Sequence, residues 1–216
     1  MTWFGASPVM VTAAVSELAG SENGAAYAWY SWQQDGNPGG DINFSATSYG
    51  TLIAADFMVD RLDAEVVFVP MERKKMDMQH SHAVVARMQC ADRARVLKEE
   101  YTPGQLISLI GHFDFSVGMR LHFLIFSALA GVPFVALPYA SKVTGLIEDL
   151  EMDMPPLKEV NTGRLIATID RSWDMKAQVR KRIQRRLPGL QERARETHRL
   201  LERLLNEIPA SVDQST

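Results

Sequence analysis

Residues 113–139, FDFSVGMRLHFLIFSALAGVPFVALPY, contain the pattern that decides the fold. A short apolar run comes first, a longer one follows, and another short one comes after Gly131. Short apolar runs are typical of strands that are buried on both faces of a sheet, whereas the longer run is typical of a helix. We therefore predict a strand, a helix that ends at Gly131 and a second strand. Arg120 and His122 then lie where the first strand passes into the helix.

The same alternation extends on both sides of this stretch. Before it, AEVVFVPM and ARVLKE are predicted strands, and each is followed by a segment with apolar residues at helical spacing. Thr102 and Pro103 are suited to the N-cap and the first position of one of these helices. After the stretch, SKVTGLIEDL is a predicted helix. Strands that alternate with helices predict an α/β fold, a parallel sheet with helices on both faces.

The two ends of the chain differ from this region. For residues 1–48 we predict an irregular leader without a clear domain, in which PVMVTAAVSELA is either a short helix or a strand. Residues 49–174 form the predicted α/β domain. Residues 175–216 form a helical extension, a long helix that is broken or kinked at Pro188 and whose apolar stripe packs back on the domain. That stripe comprises Leu190, Ala194, Thr197, Leu201, Leu204 and Ile208.

Composition narrows the class of protein. Of the 216 residues, 46% are hydrophobic and 23% are charged, and the net charge of -3 provides no general attraction to nucleic acid. The single cysteine, Cys90, excludes an internal disulfide framework and fits a reducing compartment. The most apolar span, residues 123–137, is interrupted and is shorter than the about 20 residues that cross a bilayer. We therefore expect a cytoplasmic protein without a transmembrane segment.

Two clusters suggest other ligands and are discounted. Seven basic residues occur from Arg171 to Arg186, but Trp173 is the single aromatic residue among them and no recognised DNA-binding motif accompanies them. A solvated helix face, or a surface that meets an acidic partner, is the favoured interpretation, and no nucleic acid is expected. His80 and His82 point apart if they lie on one helix, so no metal site is expected either, and His82 is interpreted as structural.

Three strand-to-helix junctions carry residues suited to an anionic ligand. Ligands of such sheets bind at the carboxyl ends of the strands, where helix N-termini also favour anions. The candidates are Asp77 and His80 at the first junction, Gly118, Arg120 and His122 at the second, and Ser141 and Lys142 at the third. Gly118 allows close backbone approach, and Arg120 offers a bidentate fork for a carboxylate or phosphate. On spacing alone, a surface arginine and a hydrogen-bonded core histidine remain the alternative for Arg120 and His122.

The stretch resembles the C-terminal half of the polysaccharide pyruvyl transferase family. That family has an acidic residue before a strand, Arg-Leu-His at the start of a helix, Gly-x-Pro, and Tyr-x-x-Lys after the next strand. The matching positions are Asp114, Arg120, Leu121, His122, Gly131, Pro133, Tyr139 and Lys142. The resemblance is clear over residues 62–152 and thinner to about residue 174.

The resemblance implies a Rossmann-like domain, one half of a GT-B-like architecture, in an enzyme. Such enzymes transfer a pyruvyl group as a ketal from phosphoenolpyruvate to a sugar of a cell-surface or extracellular polysaccharide, and no cofactor is implied. Family roles extend to Arg120 and His122 only, and we expect Arg120 to clamp the donor anion and His122 to act as general acid. The other expected substrate-binding residues are Gly118, Tyr139, Ser141, Lys142, Asp77 and His80.

The expected partners follow from the same resemblance. They are phosphoenolpyruvate, a glycan or lipid-linked sugar acceptor, and either a separate N-terminal Rossmann-like half or a second copy of the chain. The residues before position 62 do not spell the N-terminal domain of the family, so a truncated or split enzyme, peripheral to the inner face of the membrane, is expected. Two alternatives stay open: a GT-B-like glycosyltransferase domain that uses a nucleotide sugar, and a non-catalytic partner domain.

Overall fold

Strands and helices alternate along the part of the chain that the computed structural model describes, residues 7–11, 46–71, 76–137, 141–152 and 162–207. The strands there are β1 (Ser7–Val11), β2 (Ala64–Phe68), β3 (Ala94–Val96), β4 (Phe115–Gly118) and β5 (Phe134–Ala136). The helices are α1 (Ala46–Leu62), α2 (Met76–Val85), α3 (Pro103–Ile110), α4 (Leu121–Leu129), α5 (Ser141–Asp149), α6 (Thr162–Asp174) and α7 (Lys176–Glu207).

The five strands form one parallel sheet with the order β3-β2-β1-β4-β5. This is the order of a doubly wound, Rossmann-like sheet, so the predicted α/β fold is confirmed. The chain runs outward from β1 to β3 on one side and then places β4 and β5 on the other side of β1. In sheets of this order, ligands bind in a crevice at the carboxyl ends of the two strands between which the order reverses, here β1 and β4.

Strand β1 corrects the prediction for the start of the chain. It lies within residues 1–48, for which we predicted an irregular leader, yet it is the central strand and pairs with β2 and with β4. A run of five residues has too little periodicity to separate a strand from a helix, and the choice is made by pairing on both sides. The domain boundaries near residues 48 and 174 stay a prediction.

Each face of the sheet has its own apolar core. Consecutive residues of a strand point to opposite faces, so Val66 packs in one core and Val67 in the other. The first core includes α1 and α6, with Ile169 fully buried, and the second includes α3, α4, α5 and α7, with Ile183 fully buried. Strands β4 and β5 are buried along their whole length, and burial on both faces explains why they lack an alternation of apolar and polar residues.

Helix α3 begins where the sequence predicts. The Thr102 side chain accepts a hydrogen bond from the Gln105 backbone N–H, and the Gln105 side chain accepts one from the Thr102 backbone N–H. Pro103 occupies the first helical position, which needs no backbone donor. This reciprocal capping box satisfies two N–H groups that the helix itself leaves without partners.

The long helix α7 differs from its prediction in two respects. It continues through Pro188 without a break, and the residues on both sides of the proline, Leu187 and Leu190, pack on the second core and hold it in place. The end of its apolar stripe does not pack back on the domain, because Leu201 and Leu204 are 52% and 60% exposed. Neither α7 nor another helix of the described residues is both long and apolar enough to cross a membrane.

The basic residues of α7 contact the chain itself. Arg180 donates to the Gly131 carbonyl oxygen at 3.1 Å, Arg182 donates to the Glu151 carbonyl oxygen at 2.8 Å, and Arg193 pairs with Asp149 at 2.6 Å. These acceptors lie at or just beyond the C-terminal ends of α4 and α5, where exposed carbonyls and the negative end of the helix dipole attract cations. The arginines therefore hold α7 on the domain, which accounts for much of the basic run.

Candidate functional site

An ion pair between Arg120 and Asp77 lies at the centre of the candidate site. The Nη2 group of Arg120 donates to Oδ1 of Asp77 at 2.9 Å, and the side chains are 15% and 1% exposed. A pair this well buried is held in place strongly, because either charge alone would be left without compensation. Asp77 was predicted to bind substrate; the structure shows its carboxylate in contact with the arginine that was predicted to clamp the donor.

The fold places this pair at the crevice of the sheet. Asp77 is in the first turn of α2, the helix that follows β2, and Arg120 is the N-cap residue of α4, directly after β4 and Met119. Strands β2 and β4 are the two neighbours of β1. The ion pair therefore joins elements on both sides of β1, at the point where the strand order reverses.

The start of α4 is suited to bind an anion. Arg120 has an extended backbone, with φ of -71° and ψ of 124°, and its side chain makes no capping hydrogen bond to the helix. The first-turn N–H groups of a helix have no acceptor within the helix, and they coincide with the positive end of its dipole. Gly118 ends β4, and its carbonyl accepts a hydrogen bond from the Leu137 N–H at 2.9 Å, which fixes this junction against β5.

Three other predicted site residues are exposed at the starts of helices. His122 is exposed in the first turn of α4, and Ser141 and Lys142 are exposed at the start of α5. The strands before these helices, β4 and β5, are neighbours, so the three side chains share the edge of the sheet that holds Arg120. Tyr139 lies outside the described residues. His82, interpreted as structural, is exposed on α2.

His80 lies one turn after Asp77 on α2 and is 6% exposed. Burial lowers the pKa of His80, because a charged imidazole is poorly solvated there, and the nearby Asp77 carboxylate opposes this shift only in part. The lowered pKa favours the neutral imidazole at pH 7, so His80 is buried near Asp77 as an uncharged group.

We expect His80 to make the protein less stable in mild acid. In the unfolded chain the pKa of this histidine is 6.5, and in the folded chain it is lower, so protons bind the unfolded chain first as the pH falls. The free energy of unfolding is therefore highest above pH 6.5, where His80 is neutral in both states. It decreases as the pH falls below 6.5, and the decrease ends once the pH is below the lower pKa of the folded chain. Urea unfolding between about pH 7.5 and about pH 5.5 measures this loss. The slope of the free energy of unfolding against pH should be smaller for His80→Gln than for the wild type.

The matched control for that experiment is His82→Gln, two residues away on the same helix and exposed. A reduced pH dependence in this variant as well would mean that the effect is not specific to the buried His80. Equal slopes for wild type and His80→Gln would contradict the assignment.

Among the described residues, no group of three or more His, Cys, Asp or Glu side chains is arranged to hold a metal ion.

The fold is thus that of a Rossmann-like α/β domain with polar groups gathered at its strand-order reversal. Residues 39–141 match the model of the polysaccharide pyruvyl transferase family, a family of transferases, and the match includes Arg120 and His122. It covers just under half of the chain and confirms the resemblance that the sequence indicated. No curated protein shows significant similarity to the chain.

Seven solved chains match this protein, and one of them aligns over most of its length. It is described as the crystal structure of the glycotransferase of kitacinnamycin, with a TM-score of 0.41 and 14% sequence identity. The alignment covers 89% of this chain and 44% of the other. The chain therefore spans less than half the length of that protein.

Proposed function

We propose that this chain is the donor-binding domain of a polysaccharide pyruvyl transferase, which moves a pyruvyl group from phosphoenolpyruvate to a sugar. The observation that carries the proposal is the position of Arg120. It lies in the segment similar to the family, at the carboxyl end of β4, at the start of a helix and in a buried ion pair with Asp77. An arginine in such a crevice is suited to an anionic ligand.

Phosphoenolpyruvate matches the groups gathered at this edge of the sheet. It carries a carboxylate and a phosphate, which require several donors close together. Arg120 provides a planar guanidinium with five N–H groups, a geometry that matches a carboxylate or a phosphate, and Asp77 holds this group at the edge of the sheet. The N-termini of α4 and α5 and the ammonium of Lys142 add positive potential at the neighbouring junctions. In our proposal Arg120 clamps the donor and Lys142 assists.

His122 is the proposed general acid. It donates a proton to the methylene carbon of phosphoenolpyruvate, which becomes the methyl group of the ketal. Two hydroxyl oxygens of the sugar form bonds to the adjacent carbon, and the bond from that carbon to the phosphate oxygen breaks. One hydroxyl proton restores His122 and the other leaves with the phosphate, so the atoms balance. Exposure of His122 in the first turn of α4 gives a bound donor access to its imidazole.

The acceptor side of the reaction is proposed to lie outside the described residues. A glycan or lipid-linked sugar fits a transferase that works at the inner face of the membrane. A second Rossmann-like half, on the same or another polypeptide, would close the crevice over the donor and bring the acceptor to it.

Ligand-induced thermal stabilisation of the full chain tests the donor assignment. Phosphoenolpyruvate at millimolar concentration should raise the melting temperature, since a ligand that binds only the folded state stabilises it. Pyruvate, inorganic phosphate and UDP-glucose are the controls, and each should have a smaller effect. Stabilisation by UDP-glucose alone would overturn the proposal in favour of a glycosyltransferase domain, and no response to either donor would favour a non-catalytic partner domain.

A further inference from the structure

The C-terminal part of α7 carries four exposed leucines. Leu200, Leu201, Leu204 and Leu205 are 50%, 52%, 60% and 59% exposed, and we call them the leucine face. Their spacing places all four on one side of the helix. Four neighbouring leucines on an exposed helix form a contiguous apolar patch, which in a stable protein is typical of an interaction surface.

The leucine face continues a stripe that is already used for packing. Further back along α7, Val179, Ile183 and Leu190 lie on the same side of the helix and pack on the second core, with Ile183 fully buried. The ion pair between Arg193 and Asp149 holds the helix near the point where it leaves the domain. Beyond it, the same side of α7 presents Ala194 and Thr197 and then the leucines. A surface with the pattern of a helix-packing interface therefore extends past its own domain.

The charges of this segment are neutralised within the helix. Residues 191–207 contain four arginines and four glutamates, so their charges cancel. Three ion pairs run along the helix: Glu192 with Arg195, Glu192 with Arg199, and Glu196 with Arg199. Two copies of the segment would not repel each other, and pairing them would bury no unpaired charge from these groups. A neutral segment also lacks the basic excess that draws amphipathic helices to anionic lipid.

We propose that the leucine face binds the same face of a second copy of this chain, with the two helices antiparallel. The four leucines lie symmetrically about the point between Glu202 and Arg203. A two-fold axis there places Leu200 opposite Leu205, and Leu201 opposite Leu204, of the second copy. This is the self-complementary pattern that a two-fold interface requires. The paired helices would carry the two domains at opposite ends.

Sedimentation velocity of the full chain at increasing concentration tests the pairing. The wild type should reach twice the mass of one 24.1 kDa chain. Leu201→Gln with Leu204→Gln should raise the dissociation constant by at least about 100-fold, because each copy loses two buried leucines. Glutamine keeps the helix propensity, so circular dichroism should not change. Arg195→Gln with Glu202→Gln lies on the other side of the helix and keeps the segment neutral, so it is the matched control and should leave the dimer intact.

Spin labels test the direction of the helices. With Cys90→Ser as the background, one label at Gln191→Cys gives a pair of labels per dimer. Antiparallel pairing about the proposed axis places them about 35 Å apart along the helices, whereas parallel pairing places them side by side at about 10 Å. A monomer at every concentration, a dimer that survives the leucine substitutions, or the shorter distance would each overturn the proposal. Leucine-dependent binding to phosphatidylcholine vesicles by a monomeric chain would do so too.

Discussion

Replacing Arg120 with alanine is expected to weaken the binding of phosphoenolpyruvate by about 10- to 100-fold, because hydrogen bonds to charged groups contribute about 1.5–3 kcal/mol. The guanidinium is held in place by a buried partner, Asp77. Isothermal titration of the full chain with phosphoenolpyruvate measures the dissociation constant. Arg120→Lys should lose less affinity than Arg120→Ala, since lysine keeps the positive charge but lacks the paired N–H donors of the guanidinium.

The control for this experiment is Arg171→Ala, an exposed arginine on α6. It changes the net charge by the same amount without changing the crevice, so it should bind phosphoenolpyruvate as the wild type does. Equal affinity for wild type and Arg120→Ala would exclude Arg120 from the donor site. An equal loss in both variants would mean that the effect is one of overall charge.

Replacing Asp77 with alanine is expected to lower the free energy of unfolding by about 3 kcal/mol, because it leaves the Arg120 guanidinium buried without its carboxylate. Arg120 retains some exposure, which places the effect at the lower end of what is found when buried pairs are broken. Urea denaturation followed by circular dichroism measures the change. The double variant Asp77→Ala with Arg120→Met should recover much of the loss, because neither charge of the buried pair then remains.

Asp149→Ala is the matched control for that loss. It breaks the ion pair with Arg193, in which both side chains are largely exposed, and it should lower the free energy of unfolding by no more than about 1 kcal/mol. A similar value for Asp77→Ala would mean that the pair at the crevice is as weak as a surface pair.

The double variant Asp77→Ala with Arg120→Met should also fail to bind phosphoenolpyruvate while remaining folded. This result would separate the role of Arg120 in binding from its role in stability.

The local sequence pattern was sufficient to predict most of the strands and helices. It also predicted the edge of the sheet at which the candidate site lies. Strands β2, β4 and β5 are short, mainly apolar segments, and α3 begins at a capping box that three residues specify. Parallel alternation then places the starts of α2, α4 and α5 at one edge. The family match adds the specific Arg-Leu-His motif to that edge.

Two features of α7 show where local pattern is misleading. Pro188 predicts a break or a kink, but the helix continues through it without a break, with the flanking leucines packed on the second core. The apolar stripe predicts burial along its length, but the domain ends before the helix does, so the leucine face stays exposed. Periodicity tells which side of a helix is apolar and does not tell what lies beside it.

The sequence by itself determined the α/β class, the strand-to-helix junctions and the position of Arg120 and His122 at one of them, because these depend on residues close together in the chain. The tertiary structure alone decided that Ser7–Val11 is the central strand and that Arg120 pairs with Asp77. That pair is separated by 43 residues, and strand pairing and ion pairing at such distances depend on how the whole sheet is ordered. The sequence around Arg120 does not indicate that Asp77 is its partner, and the sequence around Asp77 does not indicate Arg120.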